Sequence, residues 1–234
     1  MHTRSLLILA GGRGTRLQNL HPDLPKPMVP VAGRPFLEWM LEHWEEQGAN
    51  DVVVSTGYLA EVIEDFLAAR GSGEAVRELQ ALGTGGAVRY AVERRPLSDP
   101  FVVTNGDSLV AADLSGMWSL PPGAEAAIAA IEVDDASRFG TLAIDEAGFL
   151  QRFEEKRPGA GWINAGIYCF RRHLIDMFPQ GASSIETDVF PSLLAAGVPI
   201  HAVRVKGRFL DIGTPDSLGQ GDAFVRELKG ELPA

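Results

Sequence analysis

Short apolar runs alternate with amphipathic segments over the first half of the chain. The runs SLLILA, DVVVST and PFVVTNGD predict three buried strands. Between the first two, PFLEWMLEHWEEQGA predicts a helix, because its apolar residues recur at helical spacing and Gly48 supplies a stop signal. Two more helices are predicted over LAEVIEDFLAAR and GTGGAVRYAVER. This alternation of strand and helix predicts an α/β fold with a doubly wound, mostly parallel sheet.

The pattern changes after Asp113. Strand-like segments then dominate: EAAIAAIEV, GTLAID, FLQRFEEK, WINAGIYCF and IHAVRVKG. Short helices are predicted near residues 171–178 and 188–195, and a closing helix over TPDSLGQGDAFVREL. Because no linker or internal repeat separates the halves, we expect a single Rossmann-like domain over residues 1–234. Its second half would extend the sheet and add a small antiparallel lid.

Composition and charge exclude several classes of protein. The chain has 234 residues, of which 45% are hydrophobic, and a formal net charge of −10. The negative charge argues against general affinity for nucleic acid or an anionic membrane. No apolar run approaches the roughly 20 residues that span a bilayer, and no signal peptide is recognised, so a cytoplasmic protein is expected. Its one cysteine, Cys169, lies in an apolar run and is expected to be a buried thiol.

Two polar segments begin where predicted strands end, LAGGRGTR and TNGD. Ligands of doubly wound sheets bind at that edge. The first segment does not complete a dinucleotide-binding turn, because Leu17 occupies the third glycine position, and it lacks the lysine of a P-loop. It fits a phosphate cradle of another kind, whose glycines let backbone N–H groups approach an anion. A solvated surface loop is the alternative.

Cations flank these glycines. Arg13 and Arg16 offer charge-assisted contacts to an anion, and Lys26 stands between Pro25 and Pro27. The two prolines restrict the backbone, so that less entropy is lost when Lys26 is positioned. The segment therefore predicts a rigidly mounted cation beside the glycine-rich loop.

The order of motifs along the chain resembles that of the sugar-1-phosphate nucleotidyltransferase family. The motifs are LAGGRGTRL, PKPMVPVAGRPF, GTGGA, NGD, FEEK, NAG and DIGTP. Within the family, STGYLAEVIEDF, INAGIY and ETDVFP are most similar to D-glycero-α-D-manno-heptose 1-phosphate guanylyltransferases. The resemblance implies that an NTP and a sugar 1-phosphate are joined to give an NDP-sugar and pyrophosphate. It further implies a nucleotide-binding half at residues 1–113 and a sugar-phosphate-binding half, with the lid, at residues 114–234.

The same resemblance assigns roles to individual residues. Arg16, Lys26 and Asp107 would be catalytic, neutralising charge around the α-phosphorus and the departing pyrophosphate. Residues implied to bind the nucleotide are Leu9, Ala10, Gly11, Gly12, Gly14, Thr15, Glu78, Gln80, Gly83 and Thr84. Thr84 has a simple alternative role as the N-cap of a helix.

Two carboxylates are implied to hold a divalent cation, Asp107 after a predicted strand and Asp211 between Leu210 and Ile212. Charge avoids such an apolar setting unless it has a partner. Mg²⁺ fits as the cofactor, because it is usually held by one or two carboxylates and substrate phosphates. Zinc does not fit, since the histidines are scattered and there is a single cysteine.

The choice of nucleobase rests on Glu78 or Gln80. Glu78 only accepts hydrogen bonds, which suits the N1–H and N2–H donors of guanine, whereas Gln80 both donates and accepts, which suits uracil or thymine. A shift of strand register by one residue would exchange them. Guanine is favoured, and uridylyl, cytidylyl and thymidylyl transfer remain alternatives.

The sugar phosphate is implied to contact Gly140, Glu155, Lys156 and Asn164. A solvated charged strand edge is the alternative for Glu155 and Lys156, and a turn-stabilising amide is the alternative for Asn164. For the whole chain, the rival to an enzyme is a non-catalytic sugar-nucleotide-binding regulatory subunit. The sequence leaves the oligomeric state open, with a homo-oligomer among the options.

Overall fold

Strands and helices are interleaved in this computed structural model, which describes residues 2–14, 16–17, 20–137, 140–154 and 158–230. Within these residues the strands are β1 Ser5–Ala10, β2 Pro30–Val31, β3 Arg34–Pro35, β4 Asp51–Thr56, β5 Glu74–Arg77, β6 Phe101–Asn105, β7 Ser108–Ala111, β8 Ala126–Val133, β9 Thr141–Ile144, β10 Leu150–Glu154, β11 Gly161–Phe170, β12 Ile200–Val205 and β13 Arg208–Asp211. The α-helices are α1 Phe36–Glu46, α2 Ala60–Arg70, α3 Gly83–Arg94, α4 Phe190–Ala195, α5 Pro215–Leu218 and α6 Gly221–Leu228.

A nine-stranded mixed sheet runs through both halves of the described chain. Its parallel part has the order β5-β4-β1-β6. β11 joins β6 in the antiparallel direction, and β8 joins β11 and then pairs with β12. The antiparallel pair β9 and β10 extends the edge beside β11. The predicted fold class is confirmed, including the extension of one sheet by the second half of the chain.

Alternate residues of β1 face opposite sides of the sheet, as strand geometry requires. Leu6 and Ile8 belong to one buried cluster, which includes most of the apolar residues of α1. Leu7 belongs to a second buried cluster with residues of α3 and α4. The sheet is therefore covered on both faces, which is why its central strands are continuous apolar runs.

The sequence-based elements agree with the structure where the signal is local. The predicted strands near β1, β4 and β6 and the helices α1, α2 and α3 are confirmed. The expected short helical stretches are found as a 3₁₀ helix at Arg172–Met177 and a π-helical turn at Ile185–Val189 that continues into α4. Cys169 is fully buried, as expected.

The single closing helix predicted over residues 214–228 is wrong. The segment forms two helices, α5 and α6, with Gly219 and Gly221 where they meet. Glycine disfavours a continuous helix, and Gly221 also lies so close to Val31 that an added Cβ would come within 2.9 Å of that side chain. Five further strands were not predicted: β5, the β2–β3 pair and the two strands of the β7–β13 ribbon.

A bulge interrupts β11 between Asn164 and Tyr168, where its register with β8 shifts. Before the bulge β11 pairs with β9, and after it with β6. Gly166 lies within the bulge at a φ of 71°, a left-handed conformation that favours glycine. At the bulge, the NAG motif therefore departs from the regular pairing of β11 with β8.

Among the residues that the structure describes, no helix has the length and apolar character needed to cross a bilayer.

We predict that Gly166→Ala destabilises the fold more than a matched substitution at Gly197. Both glycines have similar positive φ values, 71° and 75°, but an added Cβ at Gly166 would lie 2.6 Å from Asn105 Nδ2, whereas nothing lies within 4 Å at Gly197. The left-handed conformation costs each variant about 1–2 kcal/mol, and the steric clash adds to this at Gly166 only. Urea unfolding would measure both, and equal losses would contradict the proposed clash.

Candidate active site

The carboxyl ends of β1, β4 and β6 meet at one edge of the sheet, and a glycine follows each of them. The amide of Tyr58 donates to the Gly11 carbonyl (3.1 Å), and the amide of Gly106 donates to the Leu9 carbonyl (2.9 Å). A Cβ at Gly57 would lie 2.8 Å from the Gly11 carbonyl oxygen, and one at Gly106 would clash with the Leu9 carbonyl. These close approaches hold the start of the glycine-rich loop between its two neighbouring strands.

A cavity of about 530 Å³ opens at this edge. The sequence-predicted residues that line it are Leu9, Ala10, Gly11, Gly12, Gly14, Arg16, Lys26, Glu78, Gly83, Thr84, Asp107 and Asp211. Arg13 lines it as well, with its guanidinium 5.5 Å from the ring centroid of Tyr58. Thr15 lies outside the described residues.

Lys26 begins a short 3₁₀ turn that follows Pro25. Its aliphatic stem lies against Gly14, where an added Cβ would approach Lys26 Cβ to 2.9 Å. Gly14 has a φ of 58°, so both its backbone conformation and its surroundings favour glycine. The loop and the lysine are thus packed together as one unit.

Lys26 Nζ lies between two carboxylates, 2.5 Å from Asp107 Oδ2 and 3.6 Å from Asp211 Oδ1. The lysine side chain is only 13% exposed, whereas those of Asp107 and Asp211 are 36% and 41% exposed. Residues from the beginning, middle and end of the chain therefore converge on one cluster of charges.

The β7–β13 ribbon brings the two carboxylates together. Asp211 pairs with Ser108, the residue after Asp107, and the amide of Ile212 donates to the Asp107 carbonyl (2.9 Å). This ribbon is the structural reason why Asp107 and Asp211 meet, and no local pattern in the sequence predicted the ribbon.

The carboxylate pair keeps capacity for a cation. Asp211 Oδ1 accepts from the amide of Gly213 (2.5 Å) and faces Lys26, and Asp107 Oδ2 also faces Lys26. Among the described residues, Asp107 Oδ1 and Asp211 Oδ2 have no hydrogen-bond partner. The described chain contains no group of three or more His, Cys, Asp or Glu residues suited to a metal. The donor set therefore fits a hard cation that takes its remaining ligands from elsewhere.

Glu78, not Gln80, lines the cavity. Glu78 accepts from Ser55 Oγ (2.9 Å) and from the amide of Leu82 (3.2 Å), and its carboxylate packs over Gly11, where a Cβ would clash with it. Burial raises the pKa of Glu78 above the ordinary glutamate value, and the bonds from Ser55 and Leu82 oppose this shift. Gln80 is exposed and is absent from the lining.

The GTGGA motif packs against residues 181–185. The amide of Gly85 donates to the Ser183 carbonyl (2.8 Å), and the amide of Ile185 donates to Thr84 Oγ1 (2.8 Å). A Cβ at Gly83 would lie 2.5 Å from that same Ser183 carbonyl. The N-cap alternative for Thr84 is wrong, because α3 is preceded by Leu82 and has no side-chain cap.

Asn164 is held inside the β11 bulge. Its Nδ2 donates to the Tyr168 hydroxyl (2.8 Å) and to Glu186 Oε1 (2.6 Å), and its Oδ1 accepts from the Gly166 amide (2.9 Å). These contacts are those of a turn-stabilising amide. Neither Asn164 nor Gly140 is among the residues that line the described cavity, and Glu155 and Lys156 lie outside the described residues.

Sequence analysis did not identify several residues of this region. Asn105 and Gly213 line the cavity, and each lies in a motif already noted, TNGD or DIGTP. Ser55 and Glu186 contact predicted site residues through side-chain hydrogen bonds. No signal in the sequence could have identified Ser55, because its contact with Glu78 depends on the pairing of β4 with β5.

Comparisons with known proteins identify the family of this chain. The family model described as nucleotidyl transferase matches residues 5–227. The chain is 37% identical to the mannose-1-phosphate guanylyltransferase of Mycobacterium tuberculosis, over 100% of this chain and 67% of that protein. It is 33% identical to the UTP–glucose-1-phosphate uridylyltransferase of Synechocystis, over 95% of this chain and 64% of that protein. The chain thus spans about two thirds of the length of these two relatives.

Other relatives match over nearly their whole length. The D-glycero-α-D-manno-heptose 1-phosphate guanylyltransferase of Campylobacter jejuni is 32% identical over 90% of this chain and 95% of that protein. The crystal structure of HddC from Yersinia pseudotuberculosis complexed with GMP-PN has a TM-score of 0.84 and 32% identity, covering 95% of this chain and 99% of that one. The resemblance recognised from the motifs is confirmed, and with it the enzyme class, so this chain belongs to the nucleotidyl transferase family.

Proposed function

We propose that this protein joins an NTP and a sugar 1-phosphate to give an NDP-sugar and pyrophosphate, with GTP as the preferred nucleotide. The observation that carries the proposal is Lys26 between Asp107 and Asp211, beside a glycine-rich loop in one cavity. The relatives named above, which act on mannose, glucose and heptose 1-phosphates, support the same reaction. A heptose 1-phosphate is our preferred second substrate.

The reaction is a displacement at phosphorus. A phosphate oxygen of the sugar 1-phosphate bonds to the α-phosphorus of the NTP, and the bond between that phosphorus and the pyrophosphate oxygen breaks. The attacking monoester already carries about −1.5 to −2 charges at pH 7, so it needs no general base. The obstacle is repulsion, since two unit charges at about 4 Å repel by roughly 4 kcal/mol at an effective dielectric near 20.

Cations of the chain would offset this repulsion. Arg16 and Lys26 line the cavity next to the glycine-rich loop and would stabilise charge on the α-phosphoryl group and the departing pyrophosphate. Backbone amides of residues 9–15 would cradle the phosphates. Lys156 is our candidate for holding the sugar phosphate, with Gly140, Glu155 and Asn164 at the sugar.

Asp107 and Asp211 would hold Mg²⁺ through the oxygens that lack partners within the described residues. When bound, the ion supplies positive charge that neutralises the substrate phosphates. The β7–β13 ribbon and Lys26 together keep the two carboxylates close to each other, so their approach does not depend on the ion.

Base selection is proposed to rest on Glu78. Its ionised carboxylate only accepts hydrogen bonds, and guanine offers adjacent N1–H and N2–H donors. Gly83 and Thr84 lie in the same cavity and would pack against the base. The halves at residues 1–113 and 114–234 would then carry the nucleotide and the sugar phosphate, respectively.

Pyrophosphate release tests the proposal directly. We expect release with GTP, Mg²⁺ and a heptose or mannose 1-phosphate, and weaker release with UTP, CTP or dTTP. Nucleotide binding without any release, across the panel of sugar phosphates, would instead indicate a regulatory subunit.

Removing a central charge should slow turnover without unfolding the protein. We expect Asp107→Asn and Lys26→Ala each to reduce kcat by at least about tenfold, or about 1.4 kcal/mol of barrier, because each loses charge stabilisation. Asp113→Asn is the matched control, since this exposed residue accepts from the Ser115 amide outside the cavity. Near-normal turnover of a folded Asp107→Asn variant would refute the metal role.

Replacing Glu78 should change the choice of base. Glu78→Gln adds a donor where the carboxylate had only acceptors, so we expect weaker preference for GTP and increased use of UTP. Gln80→Ala is the control, because Gln80 is exposed and outside the cavity lining. An unchanged ratio of kcat/KM for GTP and UTP in Glu78→Gln would clear Glu78 of this role.

A further inference from the structure

A fully buried hydroxyl contacts the carboxylate that we assign to the nucleobase. Ser55 lies in β4, has no exposed surface, and its Oγ donates to Glu78 Oε1 at 2.9 Å. Its strand neighbours are Leu9 in β1 and Val76 in β5. Glu78 follows β5 and its amide donates to the Thr56 carbonyl at 2.7 Å, which fixes its backbone to β4. The hydroxyl and the carboxylate are therefore held together by the sheet itself.

Within the described part of the chain, the two carboxylate oxygens of Glu78 each receive one donor. Ser55 Oγ donates to Oε1, and the amide of Leu82 donates to Oε2 at 3.2 Å. Each ionised carboxylate oxygen has about two acceptor positions, so one position on each oxygen stays available. One donor on each side fixes the plane of the carboxylate, and Gly11 leaves room for it at the cavity wall.

We propose that Ser55 is a positioning residue that sets the preference for GTP over UTP, by orienting Glu78 and holding it in its ionised, acceptor-only form. This inference rests on the proposed function, and specifically on Glu78 facing the base. Ser55 does not itself line the cavity. It acts through Glu78.

The protonation state of Glu78 determines which base its carboxyl group can pair with. Burial favours the neutral form of Glu78, whereas hydrogen bonds from Ser55 and Leu82 favour the ionised form. A neutral carboxyl has one donor and one acceptor, as glutamine does, and this pattern matches N3–H and O4 of uracil. Loss of the Ser55 hydroxyl therefore shifts the pocket from guanine toward uracil.

The charged groups around Glu78 do not replace Ser55. Arg77, the preceding residue, is engaged with Glu61 and Glu64 of α2. Arg13 and Arg16 line the same cavity from the glycine-rich loop. The start of α3 adds the Leu82 amide but no acidic side chain in its first turn. The Ser55 hydroxyl is the side-chain donor to Glu78 among the described residues.

The decisive measurement is the ratio of kcat/KM for GTP to that for UTP, taken across pH. For Ser55→Ala we expect this ratio to fall about tenfold, which is the loss typical of a hydrogen bond to a charged group. The fall should come from a higher KM for GTP, while kcat stays nearly constant. The preference for GTP should decline as pH falls, and this decline should begin at a higher pH in the variant than in the wild type, because the Ser55 hydrogen bond favours the ionised form.

Ser5→Ala is the matched control. Ser5 is also fully buried and its hydroxyl donates to a carboxylate, Asp51 Oδ2 (2.5 Å), but it stands at the amino end of β1, away from the cavity. It should lose stability without any change in the ratio. Ser55→Cys keeps the side-chain shape, with a slightly larger atom that is a weaker donor, so it should give an intermediate shift. It also covers the case in which the alanine variant does not fold.

The double variant Ser55→Ala/Glu78→Gln separates the two proposals. If Ser55 acts through Glu78, its removal changes the ratio by less than about twofold once Glu78 is glutamine. The inference would be overturned if Ser55→Ala had an equal effect in both backgrounds. It would also be overturned if folded Ser55→Ala and Ser55→Cys kept the wild-type ratio while Glu78→Gln shifted it. Either outcome would leave the proposed function standing. If Glu78→Gln also leaves the ratio unchanged, the base assignment itself fails.

Discussion

The contact of Lys26 with both Asp107 and Asp211 is the constraint on which the rest of the site depends. Two carboxylates repel each other, and a cation between them makes their approach favourable. Both acids are more than a third exposed, so each pair contributes on the order of 0–1 kcal/mol to stability. The cluster therefore contributes little to the stability of the fold. Its value is geometric, because it keeps like charges adjacent at the place where the proposed reaction would neutralise substrate phosphates.

One short segment links the start of α3 with the β11 bulge. Residues 183–185 bond to the start of α3 through Thr84 and Gly85, and the next residue, Glu186, bonds to Asn164 in the β11 bulge. The start of α3 and the β11 bulge are therefore joined by one chain segment and by hydrogen bonds of both backbone and side-chain atoms. This also gives the glycines of GTGGA a physical reason beyond contact with a ligand, since side chains there would push the segment away.

Prediction from sequence succeeded where the signal is local and failed where it is not. Apolar runs and helical spacing identify β1, β4, β6 and α1–α3, because each depends on residues close in the chain. The β7–β13 ribbon pairs residues about a hundred positions apart, so the motifs around Asp107 and Asp211 indicated chemistry without indicating how they meet. Glu78 and Gln80 could not be separated without the register of β5, whose four residues carry no clear apolar pattern.

Glu78 also shows what such a site costs the fold. Because burial raises its pKa, the folded chain binds a proton more tightly than the unfolded chain does. Stability therefore falls as pH rises through the window between the ordinary glutamate pKa and the raised one, because ionising the buried carboxyl is a burden on the fold. Ser55 and the Leu82 amide reduce that burden but do not remove it. A ligand with hydrogen-bond donors at this wall of the cavity would offset that cost, and this is the physical argument behind the proposal that Glu78 faces the nucleobase.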